Sequence, residues 1–197
     1  TLLASSAASD VYKRQTSGGQ EIPIQEEKQN FIENLVTNFY NLLGIETLNN
    51  EQLHLALERG RKDFRRTRLI KPNLAKAKLD GINFTGVNLN KVNLSEASLM
   101  NAQLHKTKML GANLDSANLK GANLSRANLK DAQLSWADLR NTNLSNTLLY
   151  NANLTGADLD RSSIMSAKRL FTKFDHARLP SGVSLVKSFW FFIKLSA

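Results

Sequence analysis

Gly111-Ala-Asn-Leu-Asp, Ser116-Ala-Asn-Leu-Lys, Gly121-Ala-Asn-Leu-Ser and Arg126-Ala-Asn-Leu-Lys follow one another without interruption. Outward from this stretch, every fifth residue from Phe64 to Ile164 is Leu, Phe, Met or Ile, twenty-one positions in one register, seventeen of them Leu. A small residue, usually Ala, stands two before most of these centres, and Asn or Asp stands one before. A repeat of this kind decides the architecture before local propensity does. A period of five fits neither regular element. On a helix the Leu stripe would drift by about 140° per unit. In a strand, residues five apart point to opposite faces. The chain must bend once per unit to keep each Leu inside, and stacked bends make a solenoid. The centre and the small residue point inward, and the other three positions point outward.

The A-(N/D)-L-x-x run resembles the pentapeptide-repeat family over about half of the chain. That resemblance implies a mainly β fold, a right-handed quadrilateral parallel β-helix with four pentapeptides per coil. The repeat region then gives about five coils, roughly 24 Å tall at a strand spacing of ~4.8 Å. With a twenty-residue coil, one interior column reads Phe64, Phe84, Leu104, Leu124, Leu144, Ile164, and another Leu69, Leu89, Met109, Leu129, Leu149. Pro72, Ile82, Val87 and Val92 take the small positions early, and Ala prevails from Ala97 on, so the first coil or two should be wider. The corner column Gly81, Asn101, Gly121, Asn141 uses the two residue types that best tolerate positive φ, which supports the twenty-residue coil independently. Outside, Asn73, Asn93, Asn113, Gln133 and Asn153 stack at one strand spacing and can hydrogen-bond as an amide ladder.

The flanks differ in character. Ser5 to Gln15 read SSAASDVYKRQ, which resembles the translation of a transposase sequencing adapter. Residues 1–15 are therefore expected to be a non-native disordered tail on a bacterial gene assembled from environmental reads. The true N-terminus, and any signal peptide, would then lie outside this sequence. Residues 16–60 are expected to be an α-helical segment. Phe31, Ile32, Leu35, Val36, Phe39, Tyr40, Leu42 and Leu43 recur at helical spacing, with Glu26 and Glu27 in the first turn and Gly44 as the stop. A second helix is expected from about Glu51 to Arg59, with Asn49 or Asn50 as N-cap and Gly60 as its end. The two read as a helical hairpin that either caps the first coil or docks a partner. The β-helix is assigned to 61–165, and 166–197 to a partial coil and a C-terminal cap or tail. The register slips at Arg169, although Phe174 and Leu179 return to phase, and Pro180-Ser-Gly182 breaks the chain. Val183 to Leu195, with Phe189, Trp190, Phe191, Phe192 and Ile193, is too short and too lysine-bearing to span a bilayer. It reads as a cap or dimerisation helix, as an interfacial anchor, or as a truncated gene end.

The chain carries 26 basic and 17 acidic residues, a formal charge of +9, and no cysteine. Disulfides, thiolate metal sites and thiol nucleophiles are excluded. No long apolar run is present, and a cytoplasmic location is expected. His54, His105 and His176 lie far apart in sequence, and no nucleophile–base pair or metal-spaced cluster is visible. The expectation is therefore no enzyme, no cofactor and no metal.

What remains is surface. In the twenty-residue coil Arg65, Arg66 and Arg68 stack below Lys106, Lys108 and Arg126, a basic edge suited to nucleic acid or an anionic membrane. No aromatic residues interleave with it, which disfavours a single-strand stacking platform. Trp136 interrupts the polar pattern at an outward corner, between Ser116 and Gly156, and Tyr150 shares a column with Leu110 and Ile70. Exposed aromatics are enriched at interface hot spots, so these four are the candidate contact surface of a scaffold for an unknown protein partner. Some members of the resembled family mimic DNA and protect DNA gyrase, which needs an acidic rod. From Arg61 to Met165 this chain has sixteen Lys and Arg against eight Asp and Glu, the opposite sign.

Overall fold

A computed structural model describes residues Ile24–Val183. The chain divides into two compact units, one ending at Leu43 and one beginning at Gly44. The first unit contains α1 (Ile24–Leu42), a single amphipathic helix whose Phe31, Ile32, Leu35 and Phe39 are exposed. The second opens with β1 (Glu46–Leu48) and α2 (Asn50–Glu58), and β1 pairs in parallel with β2 (Thr67–Leu69). A strand therefore lies in the connection where sequence periodicity suggested a plain helical hairpin. Asn49 caps α2 with a full capping box: its side chain accepts from the Gln52 N–H at 2.8 Å, and Gln52 accepts from the Asn49 N–H at 3.0 Å. Leu53 on α2 is fully buried in the same core as Phe64 and Leu74, so α2 covers the first coil.

Beyond β2 the chain is a β-solenoid with a twenty-residue turn. Parallel bridges join Asn83 to Gln103, Asn88 to Lys108, Asn93 to Asn113 and Ser98 to Asn118, four ladders per turn. Each side of the turn contributes one bridge residue and one two-residue bend. We number the sides by their centres: side one carries Phe84, side two Leu89, side three Leu94 and side four Leu99. From Leu79 to Ile164 the centres and the small residues two before them are buried, apart from the half-buried Ala77, as the repeat requires. Leu69 is half-buried rather than enclosed, because it lies in β2 against the cap. The Phe64 and Phe84 rings meet at 5.5 Å in the early turns, where Ile82, Val87 and Val92 also replace Ala.

The backbone accounts for four of the five N–H groups in the regular units. In the unit around Leu114, Leu114 donates one turn ahead to Gln133 O at 2.7 Å and Ser116 to Ser135 O at 2.8 Å. Ala117 closes the bend on Leu114 O at 3.0 Å, and Asn118 donates one turn back to Ala97 O at 2.9 Å. The fifth, Asp115 N–H, has the Asn113 side-chain oxygen at 3.0 Å. This explains the Asn or Asp before each centre better than an amide ladder does. The same bond recurs from Asn83, Asn93, Asn123, Asp138 and Asn153. The expected ladder is sparse: in the Asn73 column the direct amide contact is Asn153 to Gln133 at 3.2 Å.

In three units where the preceding residue is not Asn or Asp, a neighbour one turn below supplies the acceptor. Ser98, Lys108 and Gln133 stand where Asn would, and Met100, Leu110 and Ser135 instead donate to Asp80, Asn90 and Asp115 at 2.8–2.9 Å. Thr at small positions is satisfied in a similar way. Thr107, Thr142 and Thr147 are buried and donate to the carbonyls of Phe84, Leu119 and Leu124 at 2.8–3.0 Å.

The ladders continue past the register slip. Ile164–Ser166 form a 3-10 turn, and bridges then join Leu148 to Lys168, Asn153 to Lys173 and Asp158 to Arg178. Arg169 takes a centre position, half-buried, and burial pushes its guanidinium pKa down. The expected tail over 1–15 lies outside the described residues, as does the C-terminal element apart from Val183.

Asp115→Ala should leave the Ser135 N–H without an acceptor and cost about 1–3 kcal/mol in urea unfolding. Gln133→Asn in the same chain should restore most of that loss by supplying the local acceptor. Equal stability with and without Gln133→Asn would refute this account.

Candidate binding surface

Each bend places the residue two after the centre at positive φ, from 44° at Lys71 to 72° at Gly86 and Gly121. Most of these corners are not glycine, so the chain accepts left-handed backbone at Arg126, Trp136 and Phe171 with φ of 58°, 60° and 59°. Left-handed conformation costs an ordinary L-residue roughly 1–2 kcal/mol. Every corner side chain points out, which makes the corners the natural places for contact residues.

Trp136 is 66% exposed. Its ring lies over Gly156, one turn on: a Cβ at Gly156 would come within 2.5 Å of Trp136 Cε3. Gly156 thus has two duties, φ of +69° and room for the indole. Tyr150, Leu110 and Ile70 are half-buried on side two. Lys130 sits between Leu110 and Tyr150 in that line and places its Nζ 5.2 Å from the centre of the Tyr150 ring. Trp136 belongs to a corner of side three, so the four candidate contact residues do not form one patch.

The basic edge resolves into distinct columns. Arg66, Lys106 and Arg126 share the corner that leads into side two, with Arg68 and Lys108 on side two itself. Arg65 stands apart in the His105 and Ser125 line and is held by Asp63 at 2.7 Å. That guanidinium brings the Asp63 carboxyl down to about 2. Arg68 is half-buried in β2. Lys106, Lys108 and Arg126 are exposed and form no ion pair with a described residue.

Side four shows the opposite arrangement. Arg140 bonds Asp138 at 2.6 Å and approaches Asp158 at 3.9 Å, and Arg178 reaches Asp158 and Asp160 at 3.4 and 3.6 Å. The hydrogen bond from Arg140 holds the Asp138 carboxyl below its ordinary range. The arginines of side four are thus paired with carboxylates, whereas Lys106, Lys108 and Arg126 form no ion pair with a described residue. The sequence foresaw the basic columns, but the ion pairs of side four depend on which carboxylates stand one turn away.

The histidines are engaged separately. His54 Nε2 lies 3.1 Å from Asn73 O, and His105 Nδ1 lies 2.8 Å from Ser125 Oγ. Among the described residues no group of His, Asp and Glu is arranged to hold a metal ion, and no helix is long and apolar enough to cross a membrane. A shallow cavity of about 320 Å³ lies at the capped end, lined by Glu46, Leu48, Gln52, Leu55, Ala56, Arg59 and Arg61.

The pentapeptide-repeat model matches in eight copies over residues 61–86, 77–114, 109–146, 127–164 and 142–179, together more than half of the chain. The chain belongs to the pentapeptide-repeat family. Among solved structures, this family member is similar to Rfr23, a pentapeptide repeat protein of the cyanobacterium Cyanothece 51142, at 28% identity over 52% of this chain and 67% of that one, with a TM-score of 0.42. It is also similar to a pentapeptide repeat protein of the Arabidopsis thaliana thylakoid lumen, at 24% identity over 59% and 75% of the two chains, TM-score 0.37. A third is a trypsin-treated form of QnrB1, a plasmid-mediated fluoroquinolone resistance protein, at 14% identity over 71% and 76%, TM-score 0.36. No curated protein matches the chain. All three TM-scores are below 0.5, so family membership rests on the repeat itself.

Two measurements test this geometry. Gly86→Ala and Gly156→Ala both force Ala into positive φ, but only Gly156 has a ring within reach of the new Cβ. Gly156→Ala should be the more destabilising in urea, and the excess should vanish when Trp136 is Asn. For Asp138 the folded pKa lies below the unfolded value of about 3.9. Its stabilisation is therefore complete above that value and is lost as pH falls through the folded pKa. Arg140→Gln should raise the Asp138 titration midpoint seen by carboxyl-carbon NMR and flatten the acid limb of stability.

Proposed function

We propose that this pentapeptide-repeat chain is a non-catalytic binding module, a rigid scaffold for contact with a protein partner. Its β-helix is read as right-handed, with about five coils. The twenty-residue bridges from Asp63 to Arg178 support the coil length. Many of the Asn, Asp, Ser and Thr that could suggest chemistry are occupied with backbone: they accept the fifth N–H of a unit or donate to a centre carbonyl. That occupation argues against a catalytic reading.

The observation that carries the proposal is Trp136. A large exposed indole is held at φ of 60°, a conformation that Gly or Asn would adopt at less cost. The fold imposes that φ at Lys91 and Arg126 as well, so it is the exposed indole itself, standing where Ser116 and Gly156 flank it above and below, that points to a contact role. The DNA-mimic alternative finds no support in the charge, since the repeat region is basic. A dimer formed through the hydrophobic residues after Val183 is a further reading, tested by the oligomeric state of a chain ending at Gly182.

Trp136→Asn removes the indole and relaxes the corner, so it should leave stability unchanged or raise it by up to about 1 kcal/mol. In crosslinking pull-downs from the native host, partners captured by the parent chain should be lost by this variant. Identical captures would overturn the role of Trp136.

A further inference from the structure

We propose that side two of the solenoid is a docking face for an anionic lipid surface. This goes beyond the protein-scaffold reading and does not depend on it, because Trp136 belongs to side three.

The first observation is charge segregation. Side two and its two bounding corners carry Lys71, Lys91, Lys106, Lys108, Arg126 and Lys130 against a single acid, Asp131, among the described residues. None of these six cations forms an ion pair with a described residue, whereas on side four Arg140 and Arg178 are tied to Asp138, Asp158 and Asp160, and Lys78 and Lys120 stand beside those carboxylates on a side of mixed sign. An unneutralised array at one strand spacing suits repeated negative charges that lie in a surface rather than a single anion.

The second observation separates a membrane from a nucleic acid. Apolar side chains share this face with the cations. The line that holds Lys130 runs Leu110, Lys130, Tyr150, Leu170, fixed by bonds from Gly111 to Lys130 O, Asp131 to Tyr150 O and Asn151 to Leu170 O. Phe171, at the adjoining corner, is 72% exposed, and Leu170 is 40% exposed. A phosphodiester backbone offers nothing to bury a Phe or Leu against. A bilayer interface offers anionic headgroups beside acyl chains, and binding there grows with both basic charge and buried apolar area. The side is built from one-residue bridges in register, so its outward residues form straight rows, a geometry that meets a plane along its whole height.

The test uses the full chain in co-sedimentation with phosphatidylserine–phosphatidylcholine vesicles and with pure phosphatidylcholine vesicles. Its variants are compatible with the fold by construction. Lys106→Asn and Arg126→Asn sit at positive φ, Lys108→Asn restores the residue type usual before a centre, and Phe171→Gly relaxes a corner. The parent chain should sediment with phosphatidylserine vesicles at low salt and not with phosphatidylcholine alone. Each basic residue near the surface contributes about fivefold, so the triple Asn variant should bind on the order of a hundredfold more weakly. Phe171→Gly should weaken binding severalfold further, while Lys120→Gln on side four and Trp136→Asn should change nothing. The proposal falls if the parent chain ignores phosphatidylserine vesicles, if Lys120→Gln loses as much as the triple variant, or if Phe171→Gly has no effect. Tighter binding to duplex DNA at the same salt would also overturn it and make nucleic acid the ligand. Loss of protein partners in the Trp136→Asn chain is a separate readout, so either proposal can fail alone.

Discussion

One amide hydrogen per pentapeptide governs this structure. In the regular units four of five N–H groups find carbonyls in the turns above and below or in their own bend, and the fifth does not. An amide left without a partner costs enough that twenty repeats could not absorb it. The residue before most centres therefore carries a short side-chain acceptor, and Asn and Asp are the side chains of the right length. Everything outside the Leu and Ala core is arranged around that requirement. Where Ser98, Lys108 or Gln133 gives up the task, Asp80, Asn90 or Asp115 takes it over from one turn below. Substitutions on the surface are thus coupled across twenty residues of sequence.

This coupling explains what could and could not be read from the chain alone. The core was legible, because a five-residue period with Leu and Ala admits one class of solution. The Asn column was legible as a pattern but not in its cause: an amide ladder runs along the stack, whereas the dominant bond closes within a single unit. The corners were legible at Gly81, Asn101, Gly121 and Asn141, which tolerate positive φ. The same conformation at Lys91, Arg126 and Trp136 shows the backbone imposing it on residues with no preference for it. β1 was not foreseen, since three residues between two helices carry too little pattern to signal a strand.

The candidate surface was legible in part. Trp136 and the basic columns stood out as departures from the repeat. The seat of the indole over Gly156 required knowing that corners twenty residues apart touch. The distinction between the paired arginines of side four and the lysine-rich side two depended on carboxylates such as Asp158, which serves Arg140 and Arg178 from the middle of a stack. Net charge counts these residues equally, while the fold sets some against each other and leaves others facing water.

The two periods of the molecule also set different kinds of error. The core reads the chain in fives, but the outer surface reads it in twenties. A gene that gained or lost one pentapeptide would keep every Leu inside and every bend intact. It would also carry each later residue round to the next side, parting Lys108 from the Lys168 row and Trp136 from the glycine beneath its ring. Such a change would be silent to the fold and a frameshift to the surface. Lineages of these solenoids can therefore vary in length by single units without unfolding, while whatever is written on their sides survives only when length changes by whole turns.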